Sequence, residues 1–356
     1  MTHTFHDIAI PIAWPDKTAR GDEKWMAFLK RMGIVKNLNF RVGHAAILLI
    51  ERRTGAIQYF DFGRYLVPRG YGRPRSFHFD PRLIVETRAQ FNKDGDIQNL
   101  ADIFEELSGN EKATHGGGRT FFSISKGLSF SRGQAYAERL VSNGPVLYGA
   151  FARNNNSCSR FVAQILTEAM PEKDKRRKKI LYPESLKASP MSNVVNAAEN
   201  GRVYIHQHHN IQTLVMGRAA SMRFQFDLLK DNFTHQGAKS LAADDIAGLV
   251  AYSERPRSVA SHAQWLGGIG EGAWFSLQHV SGSLYEVTKH DADGQLLYTR
   301  HMECLQHFDM LEDYAFTYHF SFEAHSISQN DQLYLFRAIA EEKTAQNLKQ
   351  ANEAIL

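Results

Sequence analysis

The feature of the sequence that most constrains the fold is an apolar run followed by a polar turn and an aromatic-rich run. Residues 44–50 read HAAILLI, residues 51–56 (ERRTGA) form the turn, and IQYFDFGRY returns from residue 57. Nearly unbroken apolar runs are typical of strands whose two faces are both covered. A short polar turn between two such runs predicts a β-hairpin. We therefore expect a sheet that is buried on both sides.

Several other segments have the spacing or the capping residues of regular elements. Residues 21–34 carry large apolar side chains at helical intervals, namely Trp25, Phe28, Leu29 and Met32. The stretch DIQNLADIFEELSG and residues 131–144, which end in a glycine, are also predicted as helices. Residues 145–151 (PVLYGAF) are predicted as a short strand just before the motif NNNSCSRFV.

The composition changes near residue 200, which predicts two domains. The segment MPEKDKRRKKILYPESLKASPMSN is charged and then carries proline and serine, as linkers do. Beyond it, AWFSLQHV, LYEVTKHD and GQLLYTRHM alternate like consecutive strands, and residues 333–353 are predicted as a closing helix. The expected fold is α+β, with a catalytic domain at 1–200 and a smaller, mainly β accessory domain with a C-terminal helix at 201–356.

Composition and charge exclude several classes of protein. Hydrophobic residues make up 43% of the chain and the formal net charge is only +4, which is too balanced for a dedicated nucleic-acid partner. No stretch approaches the roughly 20 apolar residues of a membrane span. The first residues lack the basic region of a secretory signal, so a cytoplasmic location is expected, with export by another route left open.

Of the two cysteines, Cys158 has the neighbourhood of a nucleophile. Apolar residues follow it at the spacing of one buried helix face: Phe161, Val162, Ile165 and Leu166. Asn156 and Ser157 are good N-cap types, so the thiol is expected in the first turn of the helix. Unpaired backbone N–H groups and the helix dipole favour a thiolate there, and Arg160 can help to hold its charge. The alternative is that Cys158 is a small buried hydrophobe, which is the usual role of a free cysteine. Cys304 lies in a β pattern without a capping signal and is expected to be structural.

A histidine at the start of the first strand of the hairpin is the candidate base. His44 opens an otherwise apolar strand at a sheet end, where an imidazole can take a thiol proton. If Glu51 lies opposite Ala56 in the turn, strand alternation puts Asp61 on the face of the histidine, where it can orient the ring. A slip of one residue would present Gln58 instead. We predict Asp61 as the orienting group, with Gln58 as the substitute.

The order of these segments resembles a known family. GHAAILL, a second strand ending in FDFG, and NSCSRFV occur in this order, so a histidine strand precedes a cysteine helix. This order resembles the NlpC-like branch of the papain fold in its permuted form, as in lecithin retinol acyltransferase and the bacterial YiiX-like proteins. The chain looks like a bacterial family of that superfamily. The resemblance implies cysteine-dependent amide or ester chemistry without a cofactor. The sequence lacks the acyltransferase's second strand histidine and its hydrophobic anchor, which argues against a lipid substrate.

Other motifs have plainer interpretations. His206, His208 and His209 could share a metal, but no carboxylate or cysteine cluster accompanies them in the sequence, so no metal site is predicted. His115 begins the glycine loop HGGG, which is expected to line the cleft. The basic run KDKRRKK at 173–179 is expected to be a solvated surface.

Two functions of different classes fit these residues. The first is a hydrolase of amide bonds, peptide or related acyl, in which Cys158, His44 and Asp61 form an acyl-enzyme that water releases. A thiol acyltransferase would differ only in the final acceptor. The second is a non-catalytic binding protein on a papain-like scaffold, with the β domain offering a surface for a protein partner. Side chains of His44 and Cys158 within hydrogen-bonding reach would favour the enzyme.

Overall fold

The predicted hairpin lies in the middle of a large sheet in the computed structural model, which describes residues 4–21, 24–149, 154–244, 248–251 and 254–339. Of these, residues within 1–63, 74–77 and 81–247 form one compact unit, and those within 64–73, 78–80 and 248–356 form a second. The first unit mixes helices and strands, and the second is rich in β-structure. The protein is therefore a mixed α/β chain with a β-rich C-terminal part, as expected.

Strands and helices are interspersed along the chain up to residue 244. They are β1 (Asp7–Trp14), β2 (Ala19–Arg20), α1 (Lys24–Arg31), β3 (Asn39–Phe40), β4 (His44–Ile50), β5 (Ile57–Gly63), β6 (Tyr71–Arg75), α2 (Leu100–Gly109), α3 (Glu111–Thr114), β7 (Thr120–Phe122), β8 (Ser125–Leu128), α4 (Phe130–Ser142), β9 (Val146–Leu147), α5 (Cys158–Ala169), α6 (Lys175–Leu181), α7 (Pro190–Ala197), β10 (Arg202–Gln207), β11 (Asn210–Val215), α8 (Arg218–Leu229) and α9 (His235–Ala238). Short 3-10 turns lie at Pro81–Leu83, Glu199–Gly201 and Lys230–Asn232.

The main sheet of the first unit has nine strands in the part of the chain that is described. Its order is β11-β10-β7-β1-β4-β5-β6-β9, and β8 also pairs with β1. Strand β4 lies between β1 and β5, antiparallel to both, with Trp14 opposite His44 on one side and Asp61 opposite Ala46 on the other. The apolar run of residues 44–50 therefore forms an interior strand, which explains why it carries almost no polar side chains.

Both faces of this strand are covered, as its composition predicts. On one face Ala45, Ile47 and Leu49 join a core cluster with α5. On the other face Ala46 and Leu48 pack in a second cluster with residues of α2. Full burial of one large apolar side chain contributes about 1.5–3 kcal/mol, so these two layers fix the position of the hairpin firmly.

Among its described residues, the second unit is built on a seven-stranded antiparallel sheet. Its strands are β12 (Gln264–Leu266), β13 (Ala273–Ser281), β14 (Leu284–Asp291), β15 (Leu296–Glu303), β16 (Ala315–Phe320), β17 (Ala324–Gln329) and β18 (Gln332–Ala338). Their order in the sheet is β12-β13-β14-β15-β18-β17-β16. The predicted closing helix at 333–353 is wrong over its first residues, because Gln332–Ala338 alternates and pairs with β17 as a strand. The rest of that prediction lies outside the described residues.

The division between the units differs from the boundary predicted near residue 200. The hairpin of β10 and β11 extends the first sheet, with Tyr204 opposite Phe122 of β7. The charged segment before it is anchored instead of free: Arg176 is bound to Asp174 and to Ser125. A high charge density therefore marked an outer helix, α6, that is part of the first unit. The predicted strand at 145–151 is present as Val146–Leu147, and its end lies outside the described residues.

Candidate functional site

Strand register brings His44 and Asp61 to one place. The turn closes as predicted, with the Glu51 N–H donating to the Ala56 carbonyl at 2.9 Å. Continued alternation then puts Asp61 on the same face as His44, at the end of the strand. The His44 Nε2 lies 3.4 Å from Asp61 Oδ2, and both side chains are buried. The predicted register is confirmed.

The Asp61 carboxylate is held by more than the histidine. Arg75, which is fully buried, donates from Nε to Asp61 Oδ1 at 2.9 Å and from Nη2 to Oδ2 at 2.5 Å. The Tyr59 hydroxyl donates to Oδ2 at 2.9 Å, and Arg75 Nη2 also donates to the Ala113 carbonyl at 2.9 Å. Burial alone would raise the pKa of Asp61, but the charge of Arg75 and the bond to His44 outweigh it and hold the pKa well below its usual value. Asp61 is therefore a permanently charged partner.

Cys158 begins helix α5, as the apolar spacing predicts. Ser157 is the N-cap, and its hydroxyl accepts from the Arg160 N–H at 3.3 Å. The thiol is buried, within hydrogen-bonding contact of the His44 side chain and of the Ala45 backbone N–H, and its Sγ lies 3.7 Å from the Ser159 hydroxyl oxygen. The structure thus brings together all three residues predicted for the site.

The titration of the cysteine and the histidine is shifted in opposite directions. Burial would raise the pKa of the Cys158 thiol, but its hydrogen bond to His44 and the charge of the imidazole outweigh burial and lower the pKa below its ordinary value. Burial would lower the pKa of His44, but Asp61 and Cys158 outweigh it and raise that pKa. Both shifts favour a thiolate beside an imidazolium.

A tryptophan and a glycine loop fix the imidazole from its other side. Trp14, directly opposite His44 in the sheet, stacks on its ring with centroids 5.6 Å apart and planes 10° from parallel. Gly116 packs on the tryptophan so closely that a β-carbon there would lie 2.6 Å from the indole. His115, predicted to line the cleft, precedes that glycine in a left-handed conformation (φ 53°) at the end of α3. The predicted glycine loop therefore packs on Trp14, which in turn stacks on His44.

The remaining predicted residues brace the site or lie away from it. Gln58 pairs with Leu49, so alternation points its side chain to the face opposite Asp61. Asn156 binds Gln164 at 3.0 Å and the Ser157 N–H at 2.9 Å, and thereby fixes the start of α5. Arg160 donates to the carbonyl of the preceding loop residue Asn155 at 2.9 Å.

Arg75, Tyr59 and Trp14 were not among the predicted site residues. Tyr59 could have been found, because it lies two positions before Asp61 and therefore on the same face of the strand. Trp14 could have been found only from the pairing of β1 with β4. Arg75 lies in a basic, turn-rich stretch that carries no sign that one of its arginines is buried.

Within the described ranges, no group of three or more histidine, cysteine, aspartate or glutamate side chains is arranged to hold a metal. His206 and His209 instead share the two oxygens of Glu105, at 2.9 and 2.6 Å, and so tie β10 and the following turn to α2. His208 lies in that turn with φ 50°.

Cys304 is buried and donates to the Gln306 carbonyl at 3.5 Å, and burial raises the pKa of its thiol. None of the helices described is long and apolar enough to cross a bilayer.

Comparison with known proteins places the candidate site in a matched region. Residues 9–175 match the model of the TseH-like type VI secretion system effector family, and residues 263–339 match that of the DUF6695 C-terminal domain. The crystal structure of the type VI secretion system effector TseH aligns with 58% of this chain and 97% of its own, at 15% identity and a TM-score of 0.37. No curated protein gave a significant match. The part of the chain that holds His44, Asp61 and Cys158 is thus similar to the TseH-like effector family.

Proposed function

We propose that the chain is a cysteine-dependent hydrolase of amide bonds, peptide or related acyl. The observation that carries this proposal is the buried row Cys158–His44–Asp61, in which the pKa of the thiol is lowered and the pKa of the imidazole is raised. A buried histidine with only a packing role does not require a thiol and a carboxylate as its partners. A catalytic base requires both, because the thiol is the nucleophile that it deprotonates and the carboxylate orients its ring.

The proposed reaction begins with attack of the Cys158 thiolate on the substrate carbonyl carbon. The tetrahedral oxyanion lies near the Cys158 backbone N–H at the start of α5, where helix N–H groups point outward. His44, protonated in the resting pair, gives its proton to the leaving amine as the C–N bond breaks, which leaves a thioester. A water molecule then attacks the thioester while His44 takes its proton. The products are a carboxylic acid and an amine, and the thiolate is restored.

The order of the elements supports a permuted papain-like scaffold for this chemistry. The strand with His44 precedes the helix with Cys158 along the chain, and the helix packs on the face of the sheet formed by Ala45, Ile47 and Leu49. This is the order that the sequence shares with the NlpC-like permuted proteins. His44, Asp61 and Cys158 all belong to the first unit, and the second unit would select the substrate or a protein partner.

Similarity to type VI effectors favours a target outside the producing cell over the cytoplasmic location expected from the sequence. The test is to produce the full chain in a bacterial host with and without an added secretory leader, beside a Cys158→Ala control. Growth arrest that needs both the leader and Cys158 supports export to a periplasmic amide substrate. Arrest without the leader places the target in the cytoplasm.

The chemistry itself is tested by alkylation of the two cysteines. Iodoacetamide should modify Cys158 well below the ordinary thiol pKa of about 8.5, because the thiolate persists there, and His44→Ala should move its labelling to higher pH. Cys304 is the internal control, because burial raises its pKa and no base contacts it among the described residues. The pH profile matters more than the rate, since both thiols are buried. If Cys158 follows an ordinary thiol profile that His44→Ala does not change, the nucleophile assignment is wrong.

A second test addresses the orienting role. Asp61→Asn should preserve the imidazole position but stabilise its cation less, so the labelling profile of Cys158 should move toward higher pH. Gln58→Ala is the matched control on the same strand and should leave the profile unchanged. A change in the Gln58 variant alone would transfer the orienting role to Gln58.

A further inference from the structure

Ser159, the residue after the proposed nucleophile, carries a buried hydroxyl in the first turn of α5. The residue is 4% exposed. Among the residues that the structure describes, the only hydrogen-bonding partner of this hydroxyl is the Cys158 Sγ, which lies 3.7 Å from the Ser159 Oγ. Buried hydroxyls are hydrogen-bonded in folded proteins, because an unmade bond costs the full desolvation of the group. The sulfur is therefore the atom that satisfies the Ser159 hydroxyl.

Contacts on both sides hold the turn that carries Ser159. The Asn193 side chain of α7, which is 1% exposed, donates from Nδ2 to the Ser159 carbonyl at 2.7 Å. Before it in the chain, Ser157 caps the helix by accepting from the Arg160 N–H. The backbone of the turn is thus fixed against a neighbouring helix and at its own start. Because the residue is also buried, bulk water does not compete for the contact between the hydroxyl and the sulfur.

The charge of the sulfur decides which atom of this contact donates. A thiol is a weak donor, whereas a thiolate has no proton and can only accept. A hydrogen bond to the charged form of a group favours that form. Burial raises the pKa of the Cys158 thiol, but the contacts with His44, with Ser159 and with the Ala45 N–H outweigh burial and lower it. The thiolate therefore has a donor besides the catalytic histidine and the backbone.

We propose that Ser159 is a further catalytic residue, whose hydroxyl donates to the Cys158 thiolate. This inference rests on the proposed function, since it requires Cys158 to be the nucleophile. The hydroxyl first stabilises the negative charge that attacks the substrate carbonyl. It donates again after water has attacked the thioester carbon, when the C–S bond breaks and its electron pair returns to Sγ. The proton of Ser159 stays on its own oxygen throughout, so His44 remains the group that moves protons.

The experiment is the pH profile of Cys158 alkylation by iodoacetamide in the full chain, with and without Ser159→Ala. Alanine removes the hydroxyl and keeps the rest of the side chain. The profile should move to higher pH, and the thiolate fraction below its midpoint should fall about tenfold, which is the lower end of what a hydrogen bond to a charged group contributes. The limiting rate at high pH should be equal or higher, because a thiolate of higher pKa is at least as nucleophilic.

Thr167→Val is the matched control in the same helix. Thr167 is also buried, but its hydroxyl donates to the Ala163 and Gln164 carbonyls of α5, at 2.9 and 3.0 Å. The variant therefore removes a buried hydroxyl from α5 without removing a donor to the sulfur, and its Cys158 profile should not move. Thermal unfolding of each variant and the alkylation of Cys304 show that the fold is unchanged.

His44→Ala, measured in parallel, separates this proposal from the proposed function. A shift to higher pH in both Ser159→Ala and His44→Ala supports both. A shift in His44→Ala alone retains the nucleophile and overturns the role of Ser159, and a shift in neither overturns both assignments. An equal shift in Thr167→Val would mean that packing of α5 is responsible. A lower limiting rate with an unmoved midpoint would mean that Ser159 controls access to the thiol, and either result would overturn the proposal.

Discussion

Replacement of Arg75 by methionine should lower the free energy of unfolding by an amount that depends on pH. Arg75 and Asp61 are both fully buried and are joined by two short hydrogen bonds, at 2.9 and 2.5 Å. Methionine fills much of the same volume but leaves the Asp61 carboxylate buried beside a histidine and a tyrosine only. Breaking a buried pair by removal of one partner typically costs about 3–5 kcal/mol. That is about a fifth or more of the stability of an ordinary domain, which is about 5–15 kcal/mol.

The sign of the pH dependence follows from the pKa of Asp61. In the unchanged protein this pKa is depressed, so the contribution of Asp61 to stability is present above the unfolded value and is lost only as pH falls through the folded pKa. Without Arg75, burial dominates and should raise the folded pKa above the unfolded one. The native state of the variant then binds the extra proton, and its stability should increase as pH is lowered, by up to about 1.4 kcal/mol per pH unit.

Urea unfolding at about pH 5 and about pH 8 measures both effects. Arg75→Met should lose more stability at the higher pH, and adding Asp61→Asn should recover part of the loss because no charge is then left unpaired. Arg119→Met is the control, because the Arg119–Asp16 pair is about one-third exposed and should be worth less than about 1 kcal/mol. An Arg75→Met loss that is below 1 kcal/mol, or equal at both pH values, would refute the assignment of Arg75 as the counter-charge of Asp61.

Three further predictions follow from single contacts. Burial lowers the pKa of His325 to about 3 from 6.5, so stability of the second unit should fall by up to about 4–5 kcal/mol as pH drops between those values, and His325→Phe should flatten this dependence in acid unfolding curves. Gly116→Ala should push Trp14 off the imidazole and slow alkylation of Cys158, whereas Gly109→Ala, with open space around it, should leave the labelling rate unchanged. Ser157→Ala should lower the free energy of unfolding by about 1 kcal/mol through loss of the α5 N-cap, as denaturant titration would show; an unchanged value would mean that water replaces the cap.

The parts of the site that were predictable come from local periodicity. A turn of fixed length sets the register of a hairpin, so the pairing of residues 44–50 with 57–63 and the face of Asp61 followed from the sequence. The start of α5 at Cys158 followed from apolar spacing and a serine cap. Each of these signals is contained within about twenty residues of chain and does not depend on tertiary contacts.

The parts that were missed depend on distant contacts. Arg75 can be buried because Asp61 and the Ala113 carbonyl accept its hydrogen bonds. No pattern within its own segment distinguishes it from a surface arginine. The boundary near residue 200 was misplaced for a similar reason, since the basic run looks like a linker until Arg176 is seen bound to Asp174 and Ser125. Charge in a sequence shows which groups need partners and does not show whether the fold supplies them.

Strand β6 is divided between the two units, and this division has a consequence for the order in which the protein folds during synthesis. Arg73 belongs to the second unit, where its guanidinium lies between Phe79 and Phe320 at 4.5 and 4.6 Å, while Arg75 belongs to the first. A ribosome delivers Arg73 more than two hundred residues before Phe320. Most of the first sheet can form during synthesis, but residues 64–73, which include the first part of β6, gain their contacts with the second unit only when the end of the chain has been made. A nascent chain that stalls before residue 320 would therefore leave residues 64–73 without these contacts and exposed to proteases.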